Sequence, residues 1–182
     1  EEKVTDLMRQ RAKAVNFGII YGLSPYGLSK QIGVSVEEAE RFIRGYFERY
    51  PKVKQFIGQT IDRARRDGYV RTLAGRRRRL EGINASGATR SAAERIAVNT
   101  VIQGSAADLI KLAMIEIHRG LPAVSERAHM LMQIHDELVF EAPDPELEAV
   151  GQFIVEKMSG ALELDVPLKV HTAVGKNWAD AK

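Results

Sequence analysis

Cysteine is missing from the 182-residue sequence. That excludes a disulfide framework and a zinc-thiolate centre, and it permits an intracellular setting without requiring one. Long hydrophobic runs are missing too. No apolar stretch approaches the roughly 20 residues needed to span a bilayer, and the opening EEKVTDLMRQ is not a signal peptide. A water-soluble chain with no membrane partner is therefore expected. Charge of one sign is in small excess, 27 Lys and Arg against 24 Asp and Glu for a net charge of +3. Such a bias allows a polyanionic partner but does not demand one. Internal repeats and low-complexity linkers are also lacking. What is present is 45% hydrophobic content, enough for one ordinary domain or two small ones. The chain opens without methionine on a charged, helix-like segment, as a piece of something longer would.

Helical periodicity dominates the first 67 residues and is interrupted at SPYG (24 to 27), at GVS (33 to 35) and at Pro51, which predicts four helices. Ser35 with Glu38 reads as a capping box for a helix reaching about Tyr50. Val53, Phe56, Ile57, Thr60, Ile61 and Ala64 are the expected buried stripe of the next, ended by Gly68. YVRTLAGRRRRL reads as a short hairpin around Ala74-Gly75. From Ser86 to about Arg119 one long helix is expected, able to bend at Gly104 and closed by Gly120 and Pro122. The period then changes from helical to two. AHMLMQIHDELVFEAP reads as two strands, Pro143 and Pro145 open a helix to about Leu162, and VPLKVHTAV reads as a final strand. The fold class is α+β, with a compositional seam near residue 86.

The stretch RAKAVNFGIIYG, residues 11 to 22, places charge and aromatic rings within an otherwise apolar helix. At about 100° and 1.5 Å per residue, steps of four move a side chain by roughly 40° around the axis and 6 Å along it. Arg9, Lys13, Phe17 and Tyr21 thus form one slowly winding row, and Met8, Ala12, Val15 and Ile19 on nearly the opposite side are expected to face the core. Two cations followed by two rings match a ligand with a phosphate end and a flat end, as a nucleotide has. Solvated charge and packed aromatics produce the same spacing, so the row alone does not decide.

Arg95, Asn99 and Gln103 repeat the spacing on the long helix. Their hydrogen-bond donors could meet the minor-groove acceptors that every base pair presents, reading duplex shape rather than sequence; an exposed polar stripe is the competing reading. Arginines at 63, 65, 66, 71, 76 to 79 and 90 could track a phosphate backbone or form a solvated face. In QIHDELVFE, strand-like residues flank His135-Asp136-Glu137. A two-residue turn there lacks the glycine such turns prefer, and strain of this kind tends to be kept where side chains must be aimed. Asp136 and Glu137 are expected to project from the tip, where hard oxygen ligands can meet Mg²⁺, unless they are only solvated turn acids. Asp6, Asp62, Asp67, Asp108, Asp144 and Asp165 lack a comparable strand-end setting. No convincing second metal ligand is evident.

These residues together resemble a known family. R-x3-K-x3-F-x3-YG in RQRAKAVNFGIIYG resembles motif B of the family A DNA polymerases, the fingers helix that closes on the incoming nucleotide. QIHDELVFE resembles their motif C, and ERIAVNTVIQGSAADLIK is similar to the long helix between the two. GRRRRL and the ending VGKNW also match the bacterial members, and the likeness covers essentially the whole chain. It implies a right-hand polymerase architecture, with helical fingers over residues 1–86 and part of a palm with a small antiparallel sheet over 87–182. It implies that Arg9 and Lys13 bind the triphosphate, with Lys13 also catalytic. Phe17 would pack on sugar and base, and Tyr21 would guard the insertion site. Arg95, Asn99, Gln103 and His135 would contact primer-template DNA. Asp136 would ligate catalytic metal, two Mg²⁺ in the complete site, supported by Glu137.

Deoxynucleoside triphosphates, primer-template DNA and the upstream palm and thumb of a parent chain are the implied partners, in the cytoplasm with the nucleoid. Gln10 departs from a commonly basic neighbour of Arg9, and Val101 from a frequent proline; neither is an implied ligand. Motif A, with the first metal aspartate and the sugar-gating glutamate, has no counterpart in the sequence. Two other readings stay open: a nucleic-acid binding module without catalysis, and a single-subunit RNA polymerase.

Overall fold

The computed structural model describes residues 4–181. Four helices come first: α1 (Asp6–Ile20), α2 (Pro25–Ile32), α3 (Val36–Arg49) and α4 (Pro51–Asp67). A hairpin follows, β1 (Tyr69–Arg71) with β2 (Arg77–Arg79), then the long helix α5 (Gly87–Val124). A second hairpin, β3 (His129–Ile134) with β4 (Glu137–Glu141), leads through a 3₁₀ turn at Asp144–Glu146 into α6 (Leu147–Ser159). Both hairpins are antiparallel two-stranded sheets. This is the expected α+β class, mostly helical with two small antiparallel sheets. The chain divides into two compact units, one ending at Gly104 and the other beginning at Ser105. α5 contributes its first half to one and its second half to the other.

Local chemistry explains the boundaries. Thr5, Ser24 and Ser35 are N-caps, each side-chain oxygen accepting a backbone N–H three residues on, at 3.2, 3.2 and 3.1 Å, satisfying donors that the first helical turn leaves open. Gly33 and Gly68 end α2 and α4 with φ of 69° and 74°, a region where any side chain is strained. In the first unit, Leu28, Ile32 and Ala39 form one core cluster, flanked by Ala14, Val15, Val34 and Ile43. Ala64, Val70, Leu80, Ile83, Ala93 and Ala97 form another, under the first hairpin. In the second unit, Ala113, Ile117, Leu121, Ala128, Val150 and Ile154 join the rear of α5 to the second hairpin and α6.

Several expectations are corrected. Of the predicted core face of α1, Ile19 is buried, whereas Met8 is 52% exposed and Ala12 is also exposed. Only the rear half of α1, from Ala14 on, packs on the first cluster. On α4, Thr60 and Ala64 are buried, but Phe56 remains 39% exposed. The long helix passes both expected stop signals and ends at Val124. Gly120 serves a close approach: a Cβ there would lie 2.6 Å from Cζ of Phe153. Pro122 sits in the last turn, where it forfeits a single intrahelical bond, and the Ser125 amide still donates to the Leu121 carbonyl at 2.9 Å. Residues 166–174 form no strand. A strand needs a ladder partner for its backbone groups, and none pairs with this segment among the described residues.

Candidate nucleotide and nucleic-acid interface

In the first unit, α1 carries the mixed row. Arg9 and Lys13 are exposed, and neither forms an ion pair with the described residues. Lys13 Nζ lies 5.9 Å from the centroid of the Phe17 ring. Phe17 and Tyr21 stack with centroids 5.9 Å apart and planes 15° from parallel. The row is thus a continuous surface, cationic at one end and aromatic at the other. Phe17 keeps 42% of its surface exposed, leaving part of the row within reach of a ligand. Behind the row, the Tyr46 hydroxyl donates to Asn16 Oδ1 at 2.8 Å, fixing α1 to α3. The helix closes at Tyr21, whose amide donates to the Phe17 carbonyl at 2.9 Å. Gly22 then takes a left-handed φ of 72°, which lets Leu23 donate to the Gly18 carbonyl at 2.8 Å.

The front of α5 carries the second row. Asn99 and Gln103 line a cleft of about 360 Å³ with Arg76, Arg78, Ile96, Thr100 and Gly104. Arginine side chains hold the hairpin against the helix. Arg78 Nη1 donates to Thr100 Oγ1 at 3.1 Å, and Arg76 Nη2 donates to the Gly104 carbonyl at 3.2 Å. Gly104 allows this closeness, since a Cβ there would lie 2.8 Å from Thr72 Cγ2. Asn99 Oδ1 is buried with no hydrogen-bond partner among the described residues, an acceptor that a bound donor would satisfy. Arg95 leaves the same helix face one turn earlier, its guanidinium exposed and without a hydrogen bond or ion pair among the described residues.

The arginines divide by partner. Arg65 and Arg90 share Glu94, at 2.5 and 3.7 Å, and Arg66 pairs with Asp67 at 2.8 Å. Arg71 and Arg77 lie over the Tyr69 ring at 5.4 and 5.1 Å. Carboxylate pairing removes Arg65, Arg66 and Arg90 from the groups freely open to a phosphate. Arg76 and Arg78 are brought beside Asn99 and Gln103. Nothing in the run of four arginines marks these two beforehand, because the choice depends on register. Arg78 pairs with Val70 across the hairpin, and only the folded hairpin sets which residue faces α5.

In the second unit, β3 and β4 pair in register from Ile134↔Glu137 to His129↔Glu141, with an irregularity between Met130 and Met132. The connecting turn is therefore His135-Asp136. His135 has φ of 54°, a left-handed value shown by no other non-glycine residue described, and such backbone costs on the order of 1–2 kcal/mol. Gln133 Nε2 donates to the His135 carbonyl at 2.9 Å, bracing the turn. Asp136 stands exposed at the tip with no hydrogen bond or ion pair among the described residues. Glu137 is not at the tip: it is the first residue of β4, paired with Ile134. The hairpin is seated by Met130, Leu138 and Phe140, which pack on the second unit's core. Its base is clamped by Glu146, which accepts hydrogen bonds from Ser125 Oγ and Arg127 Nη2. Those bonds, the serine's first, hold the Glu146 carboxyl below its ordinary pKa. No group of three or more metal-ligating His, Asp or Glu side chains occurs among the described residues.

Comparison with known proteins places these features in context. Residues 1–180 match the model of DNA polymerase family A. The chain is 48% identical over 183 residues to DNA polymerase I of Bacillus subtilis, covering 100% of this chain and 21% of that protein. It is 46% identical over 182 residues to the thermostable DNA polymerase I of Thermus aquaticus, covering 100% of this chain and 22% of that protein. Among solved structures it superposes on the POL domain of Pol1 from M. smegmatis, in complex with DNA primer-template and dNTP, with a TM-score of 0.94 and 43% identity. That match covers 99% of this chain and 32% of the other. The chain spans about a fifth of the length of the curated relatives it matches.

Proposed function

Since the chain belongs to DNA polymerase family A, we propose that it supplies the fingers (1–86) and the C-terminal palm segment (87–182) of an enzyme that extends a DNA primer on a template. The observation that carries this reading is the row on α1. Its cationic end, Arg9 and Lys13, suits a triphosphate, and its stacked end, Phe17 and Tyr21, suits a sugar and base. The M. smegmatis relative, solved with primer-template and dNTP, supports both partners. The first turns of α5 pack with the fingers core, so the functional boundary we propose does not follow the division into compact units.

In this reading the primer 3′ hydroxyl attacks the α-phosphorus of a deoxynucleoside triphosphate and pyrophosphate leaves. Lys13 neutralises charge that builds on the phosphates as the bond to the leaving group breaks. Arg9 orients the same phosphates, Phe17 bears on sugar and base, and Tyr21 closes the insertion site. Arg95, Asn99 and Gln103 hold the terminal base pairs through minor-groove acceptors, with Arg76 and Arg78 along a phosphate backbone. His135 meets the primer end, and Glu137 supports its neighbour from β4. The exposed carboxylate of Asp136 is a hard oxygen donor suited to Mg²⁺, and the remaining ligands belong to the parent's upstream palm. Bound there with the parent's other ligands, a pair of such ions would supply Lewis-acid polarisation of the attacking and leaving oxygens.

The test is primer extension by the parent enzyme carrying Lys13→Ala or Asp136→Asn. Both changes should abolish or cripple incorporation while primer-template binding persists. Unimpaired extension by Asp136→Asn would overturn the reading.

A further inference from the structure

We infer that Gly22 is a positioning residue that links the nucleotide helix to the helix reading the primer terminus, by carrying the stem of Arg95. This inference rests on the polymerase reading above. Two independent constraints meet at Gly22. Its φ of 72° disfavours any side chain. Its missing Cβ also leaves the space that Arg95 occupies: a Cβ would lie 2.9 Å from Arg95 Cγ and 3.3 Å from Cδ. Cγ is the second carbon of the stem, so the side chain cannot clear the obstruction by swinging its far end. Arg95 must change rotamer or the end of α1 must move.

The consequence lies in what each partner carries. Gly22 directly follows Tyr21, the cap of α1, and so travels with the stacked Phe17-Tyr21 pair. Arg95 has no hydrogen bond or ion pair among the described residues, so the direction of its guanidinium is set by the path of its stem across Gly22. A displacement at the end of α1 therefore re-aims the guanidinium, and a displaced Arg95 presses back on the turn beside Tyr21. Nucleotide closure and the state of the primer end thus share one contact. Coupling of this kind is reciprocal.

Gly33 supplies the control. It has nearly the same φ, 69°, but a Cβ there meets nothing within 4 Å, so substitution there adds backbone strain without a collision. Asparagine is the probe residue, since it tolerates left-handed backbone while adding a Cβ. In the parent polymerase, single-turnover incorporation is measured from matched and mismatched primer ends for Gly22→Asn, Gly33→Asn, Arg95→Ala and the Gly22→Asn/Arg95→Ala pair. We expect Gly22→Asn to lower matched-end incorporation about tenfold, to narrow the matched-to-mismatched ratio, and to make nucleotide affinity less dependent on whether the primer end is matched, as reciprocal coupling requires. Gly33→Asn should change none of these. The double variant should be no slower than Arg95→Ala alone, because removing Cγ removes the collision. If Gly22→Asn alone misfolds, Arg95→Ala should restore its thermal melting, which is the same prediction read by stability. Multiplicative losses in the double variant, an equal defect in Gly33→Asn, or no defect in Arg95→Ala would each overturn the coupling. A parent enzyme that extends no primer before any substitution would instead overturn the polymerase reading.

Discussion

Lys13→Ala is expected to separate chemistry from folding and from DNA binding. The side chain is exposed and, among the described residues, lies over the Phe17 ring at 5.9 Å, a contact worth about 0.5–1 kcal/mol at an exposed site. Alanine recovers a few tenths of a kcal/mol through higher helix propensity. The fold should therefore lose less than about 1 kcal/mol, and the Phe17-Tyr21 stack should remain. The effect on catalysis is larger. Two unit charges about 4 Å apart near a protein surface interact by about 4 kcal/mol, and removal of one donor to developing negative charge costs about 2.7–4 kcal/mol. At about 1.4 kcal/mol per factor of ten, incorporation should slow by about 10²–10³. Single-turnover extension by the parent enzyme reads the rate, filter binding reads primer-template affinity, and thermal melting reads the fold. A matching fall in primer-template affinity would show that Lys13 contacts the nucleic acid instead, and a rate within threefold of the parent would show that it contacts no reacting phosphate.

Asp136→Asn in the parent should remove incorporation with an unchanged melting temperature, because the carboxylate is exposed and has no partner among the described residues; a large loss of stability would mean that it braces the turn. Gly120→Ala should destabilise the 182-residue chain by about 1–3 kcal/mol through overpacking against Phe153, and Phe153→Leu should relieve most of that loss in urea titrations. Glu146→Gln should lower the melting temperature at neutral pH. Hydrogen bonds depress the folded-state pKa of Glu146, so its stabilisation is present above the ordinary carboxylate range and is lost as pH falls through the folded value. The gap between variant and parent should accordingly close in acid, and a gap that persists there would refute the linkage. Residues 1–182 alone should retain primer-template binding that weakens steeply with salt and yield no extension product; extension by that chain would reveal a second metal carboxylate within it.

Local signals in the sequence determined the element types where a turn or cap residue acts on its immediate neighbours. Ser35, Gly68 and the Ala74-Gly75 turn did so, because caps and tight turns draw on atoms only a few residues away. The spacing of Arg9, Lys13, Phe17 and Tyr21 likewise sufficed to align them, since a helix fixes that geometry by itself. Tertiary structure decided the rest, where the partner lies far along the chain. Gly120 reads as a helix stop, yet it answers to Phe153. Met8 has the period of a core residue, yet neither α2 nor α3 buries it. Val166 to Val174 alternates like a strand, yet a ladder needs a second backbone, which periodicity cannot supply. Arg76 and Arg78 became distinct from their neighbours only through the Gly104 carbonyl and the Thr100 hydroxyl. Gly22 met Arg95 only when the turn after α1 came to lie beside α5. Hydrogen-bond periodicity is local and legible, whereas contact between surfaces distant in sequence is a property of the packed chain, and the proposed link between nucleotide and primer end belongs to that second kind.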